Sequence, residues 1–151
     1  MSEPPRIGVT FAPVPPEKAL FARRRERGVP LAWQSAFIPP YEDFLNLDSF
    51  IVLDLVAGEV EGVEILYLEK DSAQPSPAND TGRTHKMIVD LSNREKVERE
   101  ITISVQQDGA DLMFGIERAP TPNRCVPLGG GLAALVAGDT LSGFRVVGYH
   151  G

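Results

Sequence analysis

Residues 100–118 read EITISVQQDGADLMFGIER, and this stretch decides the fold class. Ile101, Ile103 and Val105 alternate with polar residues, a turn containing Asp108 and Gly109 follows, and Leu112, Phe114 and Ile116 alternate in the same way. A period of two puts one set of side chains on a buried face and the other in water, so the segment reads as a β-hairpin.

Downstream, LAALVAGDTLSGFRVVGYHG (132–151) repeats the pattern across AGDT, with Phe144, Val146 and Gly148 on one side. Upstream, KMIVDLS (86–92) is a strand and NREKVERE (93–100) a charged connection with the makings of a helical turn. Farther back, Phe50–Val56 and Val63–Leu68 are β-prone runs joined by AGEVEG (57–62), read as a hairpin or wide turn. Between these blocks lies DSAQPSPANDTGR (71–83), rich in Ser, Pro, Asn, Asp and Gly without an apolar period, and expected to be a mobile loop.

The N-terminal part differs. Residues 1–16 are proline-rich around the short run IGVTFA (7–12), which predicts an extended arm or edge strand, because proline blocks helix continuation and blunts a strand edge. PEKALFARRRERG (16–28) predicts a helix: Pro16 suits a first turn, Glu17 its positive end, the arginines its negative end, and Gly28 stops it. A shorter helical turn is expected from Tyr41 to Leu45, after Pro39 and Pro40. These pieces predict roughly seven to nine short strands joined by turns, and tight links favour antiparallel pairing. The expected class is mainly β, a β-rich α+β chain: an antiparallel β-sandwich or partly open barrel with one N-terminal helix, residues 17–151 forming a single domain behind the arm.

Composition narrows the function classes. A chain of 151 residues can bury a real core, and its single Cys125 cannot form an internal bridge, so a reduced cytoplasmic setting is expected. The start MSEPPRIGVTFAPVPPEK lacks a basic and apolar leader, and runs such as FIVL (50–53) and LAALVA (132–137) are too short to cross a bilayer. A net charge of -6 argues against broad attraction to nucleic acid or anionic lipid.

GGGLAA (129–134) has the G-x-G-x-x-A spacing of a dinucleotide-binding turn, but Gly138 ends any helix after six residues and no acidic ribose partner follows. Nor do a Lys and a Ser or Thr follow, as a phosphate-binding loop requires. The glycines are therefore expected to turn a corner and to let another backbone approach closely.

Three sets of side chains could carry chemistry. Cys125 with His85 or His150 would make a thiol and base pair, but no local signature brings them together, and these residues lack zinc-ligand spacing. Asp54, inside FIVLDLVA (50–57), either stands on a wet strand face, as alternation normally gives, or is a buried carboxyl of raised pKa working with Asp48, Glu64 or Asp90. Glu59, Glu61 and Glu64 lack the spacing of a calcium loop and fit a solvated hairpin tip.

Arg23, Arg24, Arg25 and Arg27 form the basic cluster, and Trp33, Phe37, Tyr41 and Phe44 an aromatic one. Arginine and aromatics are the usual anchors of protein interfaces, although these aromatics equally suit a cap over the open end of the β core. The function expected first is a non-catalytic binding or assembly module without cofactor or metal, engaging another protein or a second copy through arm, edge strands and aromatic segment. The alternatives are a small β-barrel enzyme or ligand carrier using Asp54, and nucleic-acid contact through the arginines.

Overall fold

The computed structural model describes residues 5–20, 31–35, 43–49, 51–66, 83–108 and 111–147. Among them are eleven strands: β1 (Val9–Val14), β2 (Leu31–Gln34), β3 (Asp43–Leu47), β4 (Ile51–Val56), β5 (Glu59–Leu66), β6 (Thr84–Val89), β7 (Ile103–Asp108), β8 (Asp111–Ile116), β9 (Arg124–Gly129), β10 (Leu132–Ala137) and β11 (Thr140–Val146). One 3-10 turn (Pro16–Lys18) and one α-helix, α1 (Arg94–Glu100), accompany them.

The strands form two antiparallel sheets. The first runs β1-β6-β5-β4-β3, with β2 pairing on β5, and the second runs β7-β8-β11-β10-β9. A single hydrophobic cluster joins them: Leu45, Leu53, Leu55 and Ile65 come from the first sheet, and Leu112, Phe114, Val136 and Phe144 from the second. The architecture is the expected β-rich sandwich with a single helix, without barrel closure among the described residues.

The deciding hairpin forms as read, with Ile103 opposite Ile116, Val105 opposite Phe114 and Gln107 opposite Leu112. The tail hairpin turns at Gly138 and Asp139, and Phe144 and Val146 are both buried. Residues 7–14 supply β1 at a sheet edge, where Ile7 and Val9 are buried and the amide of Val9 donates to Asp139 O at 2.8 Å across to the second sheet.

Other segments differ from expectation. The helical turn expected at 41–45 is instead strand β3 from Asp43, since Leu45 and Leu47 alternate inward against β4. AGEVEG holds the hairpin of the two forms expected, and it is tighter than the six residues suggest. The turn takes only Ala57 and Gly58, both with positive φ, and EVEG belongs to β5. A register shift opposite Asp54 and Leu55 adds one residue to β5, so Val60 and Val63 are both buried although their spacing breaks a strict alternation.

The helix in the described residues is α1, where the sequence allows a helical turn, and it rests on the buried Val97. The N-terminal helix expected over 16–28 opens as the 3-10 turn Pro16–Lys18. By Leu20 the chain has left helical geometry, and that residue's amide donates to Leu128 O at 3.1 Å on β9. Residues 21–30 and, apart from Arg83, the loop 71–83 lie outside the described residues.

The glycine corner is a hairpin turn between β9 and β10, with Gly129, Gly130 and Gly131 all at positive φ. A Cβ on Gly129 would lie 1.9 Å from Leu20 O, so the close backbone approach expected there is real.

Candidate functional site

The outer face of the first sheet gathers the most unusual chemistry, and it is built around β3. This strand is an edge, and an edge strand presents unpaired backbone groups. Side chains of α1 cover them. Arg94 Nη2 donates to Phe44 O at 2.7 Å, and the amide of Asn46 donates to Glu98 Oε2 at 3.0 Å. Arg94 also pairs with Asp43 and, one helical turn along, with Glu98 at 3.4 Å. Its guanidinium lies 5.8 Å from the centroid of the Phe44 ring. The hydrogen bond from Arg94, backed by the Phe44 amide, lowers the Asp43 carboxyl below its ordinary pKa.

Phe44 is thereby presented, not buried. It is 45% exposed, one of two large exposed apolar side chains among the described residues. Its N–H donates to Asp43 Oδ1 and its carbonyl accepts from Arg94, so both backbone groups point away from β4. Phe44 and its register partner Asp54 are therefore a non-hydrogen-bonded pair, the arrangement in which facing side chains come closest.

Asp54 departs from the wet-face reading. It stands on the face opposite Leu53 and Leu55, yet only 4% of it is exposed. Its Oδ2 has no hydrogen-bond partner among the described residues. Burial pushes its pKa up, and the charge of Glu64, next on β5 across from Val52, pushes the same way. Of Asp48, Glu64 and Asp90, Glu64 alone acts on it electrostatically. Asp48 instead accepts the Ile103 amide at 2.8 Å, tying the β3–β4 turn to the second sheet. Asp90 is exposed at the end of β6, and its bond from the Ser92 amide lowers its pKa.

The remaining candidates scatter. Cys125 is exposed on β9, while Nδ1 of His85 on β6 is buried and has no hydrogen-bond partner among the described residues. His85 lines a cavity of about 10 Å³, room for one water, with Lys18, Leu20 and Leu128. Glu61 pairs with Lys86 at 2.5 Å, away from any joint role with Glu59 and Glu64. No cluster of three metal-ligating side chains occurs among the described residues.

Of the interface residues expected, Phe44 is exposed and Trp33 lies in β2. Arg23, Arg24, Arg27, Phe37 and Tyr41 lie outside the described residues, as does His150. Sequence reading misses Asp43, Arg94 and Glu98. The signal is there in Arg94 and Glu98, four apart on a charged segment, but their target strand reads locally as a helical turn.

Compared with known proteins, the chain matches no family model, no curated protein and no solved structure. No helix among the described residues is long and apolar enough to cross a membrane.

Proposed function

We propose that this chain is a non-catalytic protein-binding and assembly module whose partner is a second copy of itself, docked on the β3–α1 surface. The observation that carries the reading is Phe44 held half-exposed by Arg94, which is itself fixed by Asp43 and Glu98. An aromatic and an arginine immobilised before contact lose little conformational freedom on binding, the property that makes such residues interface anchors. The patch also carries both signs of charge beside an apolar ring. Two copies related by a two-fold axis would each present the same ring and the same fixed charges to the other.

The test is size-exclusion chromatography with light scattering on the full chain over a range of concentrations. The wild type is expected to exceed monomer mass as concentration rises, and Phe44→Ser to remain monomeric while folded. A wild type that stays monomeric throughout contradicts the reading.

A further inference from the structure

A carboxyl that is 4% exposed and has no hydrogen-bond partner for Oδ2 among the described residues is costly, because a buried acceptor forfeits its bonds to water. Such a group in a folded protein calls for an explanation, and a bound cation is one. The surroundings of Asp54 specify which. Across β3 stands the ring of Phe44, and across β5 stands Gly62, which carries no side chain. Val52 and Val56 lie on the same face of β4, both half-buried.

A hard divalent ion would need six or more oxygen ligands, and no group of three metal-ligating side chains is present among the described residues. A lone carboxyl with an aromatic ring and valines as neighbours suits instead a single positive charge on an alkyl stem. The head pairs with the carboxylate, the stem lies on valine, and the ring face attracts the cation. The Phe44 ring already has the Arg94 guanidinium 5.8 Å from its centroid.

We propose that Asp54 anchors a binding site for an organic monocation, an alkylguanidinium or alkylammonium group, flanked by Phe44 and Val52. The inference stands on the buried carboxyl and does not require that the β3–α1 surface docks a second copy.

The probes are n-butylguanidinium and n-butylammonium, with n-butanol as the neutral control, titrated into the full chain and followed by the carboxyl carbon resonance of Asp54. Saturable binding of the cations but not of the alcohol is expected, with a shift of that resonance. Asp54→Asn is expected to weaken the cations about tenfold or more, the worth of a charge-assisted hydrogen bond. Phe44→Ala is expected to weaken them less. Equal affinity in wild type and Asp54→Asn, or a resonance that does not move at any concentration leaving the protein folded, overturns the proposal. The resonance is read in the wild type, so the test survives a variant that folds poorly.

Light scattering with and without n-butylguanidinium then separates two sources of the cation. Dissociation of an oligomer by the cation identifies a basic side chain of a second copy. Binding with no change of mass identifies a free small amine or guanidine. Both support the site, and a chain that is monomeric yet binds the cation through Asp54 contradicts only the assembly reading.

Discussion

Phe44 and Asp54 face each other across the β3–β4 pair, yet the apolar ring is 45% exposed while the carboxyl is 4% exposed. This inverts the usual order, in which an aromatic side chain is covered and an acid is wet. The inversion follows from the neighbours. Arg94 and Glu98 hold Phe44 at an edge, whereas Asp54 lies on a strand paired on both sides.

The raised pKa of Asp54 fixes the sign of a pH effect. A carboxyl whose folded pKa exceeds its unfolded value favours the fold fully below the unfolded pKa, and that contribution is lost as pH rises through the folded one. Asp54→Asn removes the penalty of the buried charge. The variant is expected to gain stability over wild type on the order of 1 kcal/mol at pH 7, and no comparable gain near pH 3. Urea unfolding at both values checks this, and a difference that does not change with pH would contradict it. Comparing the pair cancels Asp43 and Asp90, whose lowered pKa values act in the opposite direction.

Glu98 covers the Asn46 amide on an edge strand. Glu98→Ala is expected to speed hydrogen exchange at Asn46 by about tenfold or more, corresponding to one hydrogen bond to a charged acceptor. Exchange at Leu53, on the neighbouring strand, should change little unless the whole sheet loosens. Arg94→Lys is expected to keep the charge but not the simultaneous contacts to Phe44 O, Asp43 and Glu98, because an ammonium lacks the fork of a guanidinium.

The β4–β5 turn contains a correctable strain. Ala57 has φ of 52° and Gly58 has φ of 80°, a two-residue turn in which the first position suits asparagine or glycine. Ala57→Asn is expected to stabilise the chain by about 0.5–1 kcal/mol, seen as a higher urea midpoint with an unchanged slope.

Gly129 cannot be replaced in this way. Its φ of 119° and the Leu20 carbonyl oxygen, which would lie 1.9 Å from any Cβ at this position, leave no place for a methyl group. Gly129→Ala is expected to cost about 2 kcal/mol or more and to release Leu20 from β9, which exchange at the Leu20 amide would report.

Alternation makes the β7–β8 hairpin legible, most clearly in β8, whereas β10 and β11 are buried along almost their whole length and are legible from their apolar runs on either side of the AGDT turn. It fails where tertiary contacts override the local signal. Asp43–Leu47 is too short, and too close to prolines, to declare itself a strand without β4 beside it. The extra residue in β5 breaks the period at Glu61 and Gly62, so half of a strand resembles a turn. At the site, the apolar run around Asp54 flags that residue, but its burial depends on neighbours brought in from other strands. The Arg94 contacts with β3 span about fifty positions of sequence and have no local trace.

Whether copies of this chain meet on the β3–α1 surface, as proposed, is decided by hydrogen exchange on the wild-type chain at dilute and concentrated conditions. Concentration is expected to slow exchange at Phe44 and in the first turn of α1, while Val105 on the opposite sheet is unchanged. Identical exchange at both concentrations, or protection confined to the second sheet, would contradict it.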